Sequence, residues 1–285
     1  MAGVIGNARS HQEGRPVSAY RELPPPPSLV THLLCTWTAS ISDGSMEYCH
    51  RVLPDGCVDI VWANDTAPVV AGPATHACLV CFPPRSLVVG VRCRPGRAAD
   101  MLGVPAATLL NQEVPLRDVC ACLAEPLSSP VAGRQSVTAK LAVVEAALTR
   151  HLAGVGPVDP LVTACIAWLA QHPNGRVHQL SRIIGLSSRQ LQRRFSAAVG
   201  YGPKTFHRIL RLQRALALAR QPQFFDGNLP LLALETGYAD QAHMTREIQR
   251  LTGRPPTALL AKVDTTLGMS DLFKTAADAI HYPPT

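Results

Sequence analysis

The stretch VHQLSRIIGLSSRQLQRRF, residues 177–195, predicts two short helices joined by a tight turn. Leu180, Ile183 and Ile184 follow the i, i+3, i+4 spacing of an amphipathic helix, and we expect them on its inner face. Gly185 then interrupts the pattern, because glycine can adopt the positive φ that ends a helix. Two helices broken in this way favour a helix-turn-helix.

The second helix of this stretch is predicted to have a buried side and a basic side. Ser187 can cap it by accepting a hydrogen bond from an unpaired amide, and Leu191 and Phe195 face inward one turn apart. Its outward side chains are Arg189, Gln190, Gln192 and Arg193. Arginine can pair with guanine and glutamine with adenine, so this side suits DNA. Taken alone, it is equally compatible with a solvated basic face in an all-helical domain.

A second copy of the pattern occupies residues 231–251, LLALETGYADQAHMTREIQRL. Apolar residues precede Gly237, Asp240 takes the capping position, and Met244 and Ile248 repeat the inward pair. The preceding apolar residues are Leu231, Ala233 and Leu234, and the outward side chains are Gln241, His243, Thr245 and Arg246. A repeat of turn, cap and polarity is hard to obtain by chance, so it favours the DNA-binding interpretation.

The two copies are joined by a stretch that reads as one helix, FHRILRLQRALALA, residues 206–219. Ile209, Leu212 and Leu216 form an apolar stripe on it, whereas its arginines lie elsewhere on its surface. These arginines are Arg208, Arg211 and Arg214. Such a helix would hold two DNA-reading units at a fixed separation.

With these motifs, residues from about 160 to 260 resemble the DNA-binding domain of the AraC/XylS family of bacterial transcription regulators. The resemblance implies two recognition helices in successive major-groove segments, roughly 34 Å apart. It implies base or phosphate contacts from Arg189, Gln190, Gln192, Arg193, Gln241, Ala242, His243, Thr245 and Arg246. The second unit departs from the family pattern at Ile248, where the family usually has Phe, and at Met244, where Phe or Leu is common.

The positive charge is concentrated in the same region. Residues 161–260 contain 13 Lys and Arg against 4 Asp and Glu, whereas residues 1–160 contain 12 against 13 and residues 261–285 contain 2 against 3. The sums of +9, −1 and −1 give the net charge of +7. A basic region on a near-neutral body is typical of a protein that binds a polyanion.

The length of 285 residues predicts two domains, and the fold class is α+β. We expect disorder at residues 1–18, a β-rich sensory domain at 19–134, a helix and linker at 135–159, the double helix-turn-helix domain at 160–262, and a tail at 263–285. Short β-like runs at 47–53, 57–62, 68–71, 77–82 and 87–93 favour a small sandwich or barrel.

Two helical segments follow the predicted strands. Residues 98–110 turn helical, and the stripe of residues 135–152 could pack on the barrel or on a second copy of the chain, which would make a homodimer. The stretches RVLPDGCVDIVW and VGVRCRPGRAADMLGVP resemble a small N-terminal domain of unnamed function found on a subset of these regulators. In better-known relatives such a domain binds an effector, a dimer partner, or both.

Several constellations in the N-terminal half have two interpretations each. The cysteines at 49, 57, 78 and 81, with neighbouring histidines, could bind a soft metal or could fill the core, and the pair Cys120 and Cys122 is a weaker signal. Asp55 and Asp59 beside Cys57 could form a carboxylate-thiol site, but Asp55 is expected to form a turn. For Arg92, Arg94 and Arg97, solvation at the end of a strand is favoured over an anion site. In the C-terminal half, the histidines predicted at the surface or at helix caps are His172, His178 and His207.

Together these features predict a sequence-specific transcription regulator, with activation the commoner role in the family. Expected partners are double-stranded DNA, RNA polymerase and a small-molecule effector. No catalytic residue, cofactor or metal is predicted, and reduced cysteines without a membrane span or signal peptide indicate a cytoplasmic protein. The alternative is a metal-thiol or alkylation-response protein with an accessory DNA-binding domain.

Overall fold

The computed structural model describes residues 19–43, 48–64, 66–132, 136–221, 224 and 228–260. The predicted disordered start and the predicted tail from residue 263 lie outside the described residues. Among those described, no helix combines the length and the apolar composition needed to cross a membrane.

Two antiparallel sheets form the base of the described N-terminal half. Its strands are β1 (Ala19–Leu23), β2 (Leu33–Ser40), β3 (Tyr48–Val52), β4 (Val58–Ala63), β5 (Val69–Ala71), β6 (Cys78–Phe82), β7 (Leu87–Cys93) and β8 (Glu113–Pro115). Six of them form one sheet in the order β1-β2-β7-β4-β5-β8, and β3 pairs with β6 in a second. The predicted α+β class, with a β-rich N-terminal half, is confirmed.

The strands from β3 to β7 lie within one residue of the predicted runs. β1, β2 and β8 lie outside the predicted β-like runs. Residues 29–34 are compatible in sequence with a helix or a buried strand, and β2 is a strand buried on both sides, so it lacks the alternation of a surface strand. In the register of β2 with β7, Trp37 lies opposite Gly90. The indole ring occupies the space above this glycine, since a Cβ on Gly90 would come within 2.0 Å of it.

Short helices cover one face of the six-stranded sheet. They are α1 (Ala98–Leu102), η1 (Ala106–Leu109, a 3-10 helix), α2 (Leu116–Val119), α3 (Ala121–Ala132) and α4 (Val137–Leu152). The stripe of α4, including Leu141, Val144 and Leu148, is buried, and most of it joins the core of this half. The alternative in which this stripe pairs with a second copy of the chain is therefore wrong, because its own domain already covers it.

The C-terminal half is helical. Its helices are α5 (Pro160–Gln171), α6 (Val177–Ile184), α7 (Ser188–Val199), α8 (Pro203–Leu218), α9 (Leu229–Glu235), α10 (Gln241–Thr252) and α11 (Pro256–Leu260). Ser187 caps α7 and Asp240 caps α10, as predicted. The two turns use Gly185 at φ 72° and Gly237 at φ 82°.

The inward pairs of both helix-turn-helix units are as predicted. Leu191 and Phe195 of α7 are buried, and so are Met244 and Ile248 of α10. On the two preceding helices the prediction is partly wrong. Ile183 is 61% exposed and Leu234 is 68% exposed, whereas the buried positions there include Leu180, Leu232 and Ala233. Because α6 and α9 are short, fewer of their apolar residues are buried than the sequence pattern predicts.

The connector α8 is buried along most of its length and packs against both units. Two of its arginines bind the second unit. Arg208 pairs with Glu247 of α10, and Arg211 donates to the Gly237 carbonyl at 3.3 Å and lies 5.7 Å from the centre of the Tyr238 ring. These arginines hold the second unit on the connector, which the sequence pattern did not indicate.

A loop of the β-rich half enters the core of the helical half. Leu53 belongs to the apolar cluster built by the C-terminal helices. The Gln213 side chain, 1% exposed, donates a hydrogen bond to the Pro54 carbonyl at 2.7 Å. Gly56 lies against Phe206, and a Cβ at this glycine would come within 2.7 Å of the ring. The two halves are therefore packed against each other around α8.

The far ends of α7 and α10 also rest on the β-rich half. The Ala77 amide donates to the Leu251 carbonyl at 2.7 Å, and Arg51 donates to the Thr252 carbonyl at 3.4 Å. At the end of α7, a Cβ on Gly200 would meet Pro73 at 2.3 Å. Each second helix of a helix-turn-helix thus has its C-terminal end seated on the other half.

Replacing Gly56 by Ala tests the packing of this loop, with Gly103→Ala as the matched control. Both glycines have positive φ, at 88° and 71°, but no described atom lies within 4 Å of a Cβ at Gly103. We expect Gly103→Ala to cost about 1 kcal/mol of unfolding free energy through backbone strain. Gly56→Ala should cost a further 1–3 kcal/mol, roughly, through overpacking against Phe206. Urea unfolding measures both, and equal losses would contradict the contact.

Candidate functional site

The outward face of α7 is exposed as the sequence predicted. Arg189, Gln190, Gln192 and Arg193 are all exposed, because the opposite side of the helix is buried in the core. The helix therefore presents two cations and two amides to solvent within little more than one turn.

The two amides of this face already have intramolecular partners. The Gln190 side chain accepts a hydrogen bond from the Ser187 amide at 3.0 Å and so completes the cap of α7. Gln192 donates to the Ser196 hydroxyl at 3.1 Å and lies over Gly202. Among the described residues, the guanidiniums of Arg189 and Arg193 have no hydrogen-bond or ion-pair partner. The arginines are thus the groups most ready to meet a ligand.

The outward face of α10 is similar but less cationic. Gln241, Ala242 and Arg246 are exposed, and His243 and Thr245 are half-buried. The His243 ring accepts a hydrogen bond from the Ala239 amide at 3.3 Å, and the Thr245 hydroxyl donates to the Gln241 carbonyl at 2.9 Å. Arg246 has no hydrogen-bond or ion-pair partner among the described residues.

The position of α7 is held by an ion pair at the start of the helical half. Asp159 caps α5 by accepting from the Leu161 amide at 2.9 Å, and its other oxygen pairs with Arg194 of α7. Arg194 lies next to Arg193 in sequence but is directed toward the protein. Only part of the basic run at the end of the first motif is therefore available to an external anion.

Residues 180–262 match the family model described as a helix-turn-helix domain, and residues 21–115 match a domain of unknown function, DUF6597. This C-terminal region is an AraC-type helix-turn-helix domain. The chain therefore carries the DNA-binding domain of a transcription regulator. No curated protein matches the chain in sequence.

The solved structures similar to this chain include ToxT from Vibrio cholerae O395. It is 11% identical, with a TM-score of 0.42 over 81% of this chain and 98% of ToxT. A ToxT variant without ligand, from V. cholerae strain SCE256, is 12% identical, with a TM-score of 0.42 over 80% and 97%. Wild-type ToxT from that strain with a bound unsaturated fatty acid is 11% identical, with a TM-score of 0.39 over 80% and 99%.

The DUF6597 region contains a cavity of about 260 Å³ between the two sheets. Its walls are mainly apolar and aromatic, and its charged lining residues are Asp55, Asp59, Arg92 and Glu113. Two polar ring atoms in its lining, Nε1 of Trp37 and Nε2 of His50, are buried without a hydrogen-bond partner. Trp37 is only 9% exposed.

Arg92 is committed to the protein's own carboxylates. Its Nε lies 3.0 Å and its Nη2 lies 2.8 Å from the two oxygens of Asp59, and Asp55 and Glu22 lie within 4.0 Å. Burial lowers the Arg92 pKa, but Asp59 and Asp55 outweigh it and raise the pKa well above its usual value. The favoured interpretation of Arg92, Arg94 and Arg97 as solvated strand ends is wrong, since all three are buried.

The cysteine predictions need correction at one pair. Cys49 and Cys81 are directly opposed on β3 and β6 and form a disulfide, so they are neither reduced nor free to bind a metal with Cys57 and Cys78. Burial raises the pKa of the Cys57 thiol well above its usual value, which disfavours a nucleophilic thiolate. Asp55 accepts from the Cys57 amide at 2.9 Å, which confirms the predicted turn.

The histidine predictions hold at two of three positions. His172 and His178 are exposed, but His207 is 2% exposed and donates from Nε2 to the His172 carbonyl at 3.0 Å. It lies on the inward side of α8, where the sequence pattern placed no histidine. Burial, and then the neighbouring Arg211 guanidinium, lower the pKa of His207 to about 4.

This buried histidine predicts a loss of stability in acid. The pKa is about 6.5 in an unfolded chain, so the unfolded state binds the proton first as the pH falls below that value. The stabilisation is complete above about pH 6.5 and is lost as the pH falls toward about 4. His207→Gln keeps a donor but cannot be protonated. Urea unfolding at about pH 7 and about pH 5 should show a smaller loss for the variant than for the wild type. An equal loss in both would exclude His207 as a contributor.

Proposed function

We propose that the protein is a sequence-specific transcription regulator that reads two major-groove segments of double-stranded DNA with α7 and α10. The observation that supports this most directly is that three arginines on these helices are exposed and have no intramolecular partner among the described residues. They are Arg189, Arg193 and Arg246, on helices whose other faces are buried. The excess of cations over residues 161–260 supplies the attraction for phosphates.

The buried connector supports the use of both units on one duplex. Because α8 packs against both, and because Arg208 and Arg211 fasten the second unit to it, the separation of α7 and α10 is fixed by tertiary packing. A fixed separation is what two successive major-groove segments require.

Removing one arginine from each helix tests this proposal. Sites are first selected by the full-length protein from a pool of random duplexes, and we expect two conserved boxes about one helical turn apart. On a selected site, Arg193→Ala or Arg246→Ala should cost about 1–3 kcal/mol of binding free energy if the arginine contacts a base. If it contacts only phosphate, affinity for all sequences should fall alike and the salt dependence should flatten.

The matched control is Arg117→Ala, which removes an exposed arginine from the β-rich half. Fluorescence anisotropy with labelled duplexes should give the wild-type affinity for this control. If both helix variants also keep wild-type affinity, the assigned DNA-contacting faces are wrong.

We also propose that the cavity in the β-rich half binds a small-molecule effector that changes DNA binding. The support is a loop that belongs to both sites. Leu53, Asp55 and Cys57 line the cavity, and the same loop bonds to Gln213 and packs on Phe206 of α8. A ligand that displaces this loop must therefore move groups in contact with the connector.

The charges of the cavity favour a cationic effector with an apolar body. The cavity is lined by three carboxylates, Asp55, Asp59 and Glu113, and by one guanidinium, that of Arg92. This guanidinium already donates two hydrogen bonds to Asp59. Burial raises the pKa of Asp55 and of Glu113, and a bound cation would offset this effect. The aromatic lining, which includes Trp37 and Tyr20, suits an organic ammonium group.

Three ligands with one body and different head groups test this chemistry: 4-phenylbutylamine, 4-phenylbutanol and 4-phenylbutyrate. We expect calorimetric binding to the full-length protein to be tightest for the amine and weakest for the carboxylate. Asp55→Asn keeps the turn acceptor but removes the charge, so it should reduce the preference for the amine. Asp118→Asn, at an exposed carboxylate, is the control.

Binding that is tightest for the carboxylate, or equal for all three, would overturn the cationic assignment. Because these measurements need no DNA, their failure would leave the DNA-binding proposal intact.

A further inference from the structure

Three side chains with metal-binding atoms meet where the helices of the β-rich half come together. Cys120 follows the end of α2, Cys122 lies in the first turn of α3, and His151 lies in the last turn of α4. The two Sγ atoms are 3.4 Å apart, and Cys122 Sγ is 3.9 Å from His151 Nδ1. All three atoms lie within 4.8 Å of one another. The sequence brings the cysteines together but places the histidine 29 residues away.

The histidine is already oriented as a ligand. His151 Nε2 lies 2.7 Å from the Met101 carbonyl oxygen. A carbonyl oxygen only accepts hydrogen bonds, so Nε2 is the donor, and Nδ1 is the ring nitrogen that faces Cys122 Sγ. A second hydrogen bond of this kind, from the nitrogen that does not bind the metal, is typical of metal-ligating histidines.

The spacing of the three atoms suits a soft ion. Zinc binds sulfur at about 2.3 Å and nitrogen at about 2.0–2.1 Å, so a tetrahedral site separates two sulfurs by about 3.8 Å and sulfur from nitrogen by about 3.6 Å. The observed distances of 3.4 Å and 3.9 Å differ from these by a few tenths of an ångström. Small side-chain rotations would therefore complete the site.

We propose that Cys120, Cys122 and His151 form a three-ligand site for a soft d10 metal ion, Zn²⁺ or Cu⁺. Two thiolates and an imidazole are the ligands that such ions prefer. Cys120 is buried at 7% exposure and Cys122 is exposed, so the site has a protein side and a solvent side through which an ion can enter. Among the described residues, no fourth side-chain ligand joins the group, which leaves a position for water.

The ion would fasten the start of α3 to the end of α4. The end of α4 leads directly into the segment before Asp159, which caps α5 and pairs with Arg194 of α7. An occupied site would thus stiffen the junction between the two halves. This inference does not depend on DNA binding or on the cavity.

The test uses the full-length protein with the Cys49–Cys81 disulfide intact and its other cysteines protected from oxidation, and Zn²⁺ is added in competition with a chromophoric chelator. We expect one tight equivalent per chain, and Co²⁺ in its place should give a thiolate charge-transfer band in the near ultraviolet. Cys122→Ser and His151→Gln should each weaken Zn²⁺ binding by about tenfold or more, as expected when a site loses a ligand or its orienting partner. Cys78→Ser, at a half-buried free cysteine away from the group, should bind as the wild type.

Competition with a Cu⁺ chelator then decides which ion binds more tightly. Unchanged Zn²⁺ and Cu⁺ binding in both ligand variants, or no tight equivalent in the wild type with its free cysteines unoxidised, would overturn the site. Cys122 is exposed, so circular dichroism should confirm that its variant folds. Protection of Cys122 from alkylation by the bound metal, read by mass spectrometry, gives a second measurement on the unmutated chain.

Discussion

The hydrogen bond from Gln213 to the Pro54 carbonyl is the contact on which the arrangement of the two halves depends. It is buried, and it joins the middle of the connector helix to a loop of the β-rich half. The neighbouring residues of the loop add apolar contacts: Leu53 packs in the core of the helical half, and Gly56 lies against Phe206. Because a buried N–H group without an acceptor is costly, this bond favours one relative position of the two halves. The cavity, the connector and both helix-turn-helix units are placed with respect to it.

The local features of the helical half could be predicted because they depend on residues close in sequence. A capping serine, a glycine with positive φ and an inward pair one turn apart are short-range requirements, and they hold at Ser187, Gly185, Leu191 and Phe195. The exposed arginines of the candidate DNA-contacting face follow from the same period. The predicted DNA contacts themselves remain predictions.

The errors concern residues whose environment is set by distant parts of the chain. The sequence around Arg92 is typical of a solvated strand end. The register of β4 with β7 places Arg92 opposite Asp59, and the ion pair with this carboxylate offsets the cost of burying the guanidinium. Cys49 and Cys81 are paired by the register of β3 with β6 in the same way. His207 is buried because α8 lies within the core that the C-terminal helices build. No local pattern carries information on such partners.

The C-terminal ends of α7 and α10 both rest on the β-rich half, at Pro73 for the first and at Ala77 and Arg51 for the second. That half therefore fixes the positions of both helices relative to each other. A single inserted base pair displaces one half of a site by about 3.4 Å along the duplex and about 35° around it. Because α7 and α10 rest on the same half of the protein, one of them cannot move by this distance and angle without the other. If both helices bind one duplex, the spacing between the two halves of the binding site is therefore itself a requirement for binding.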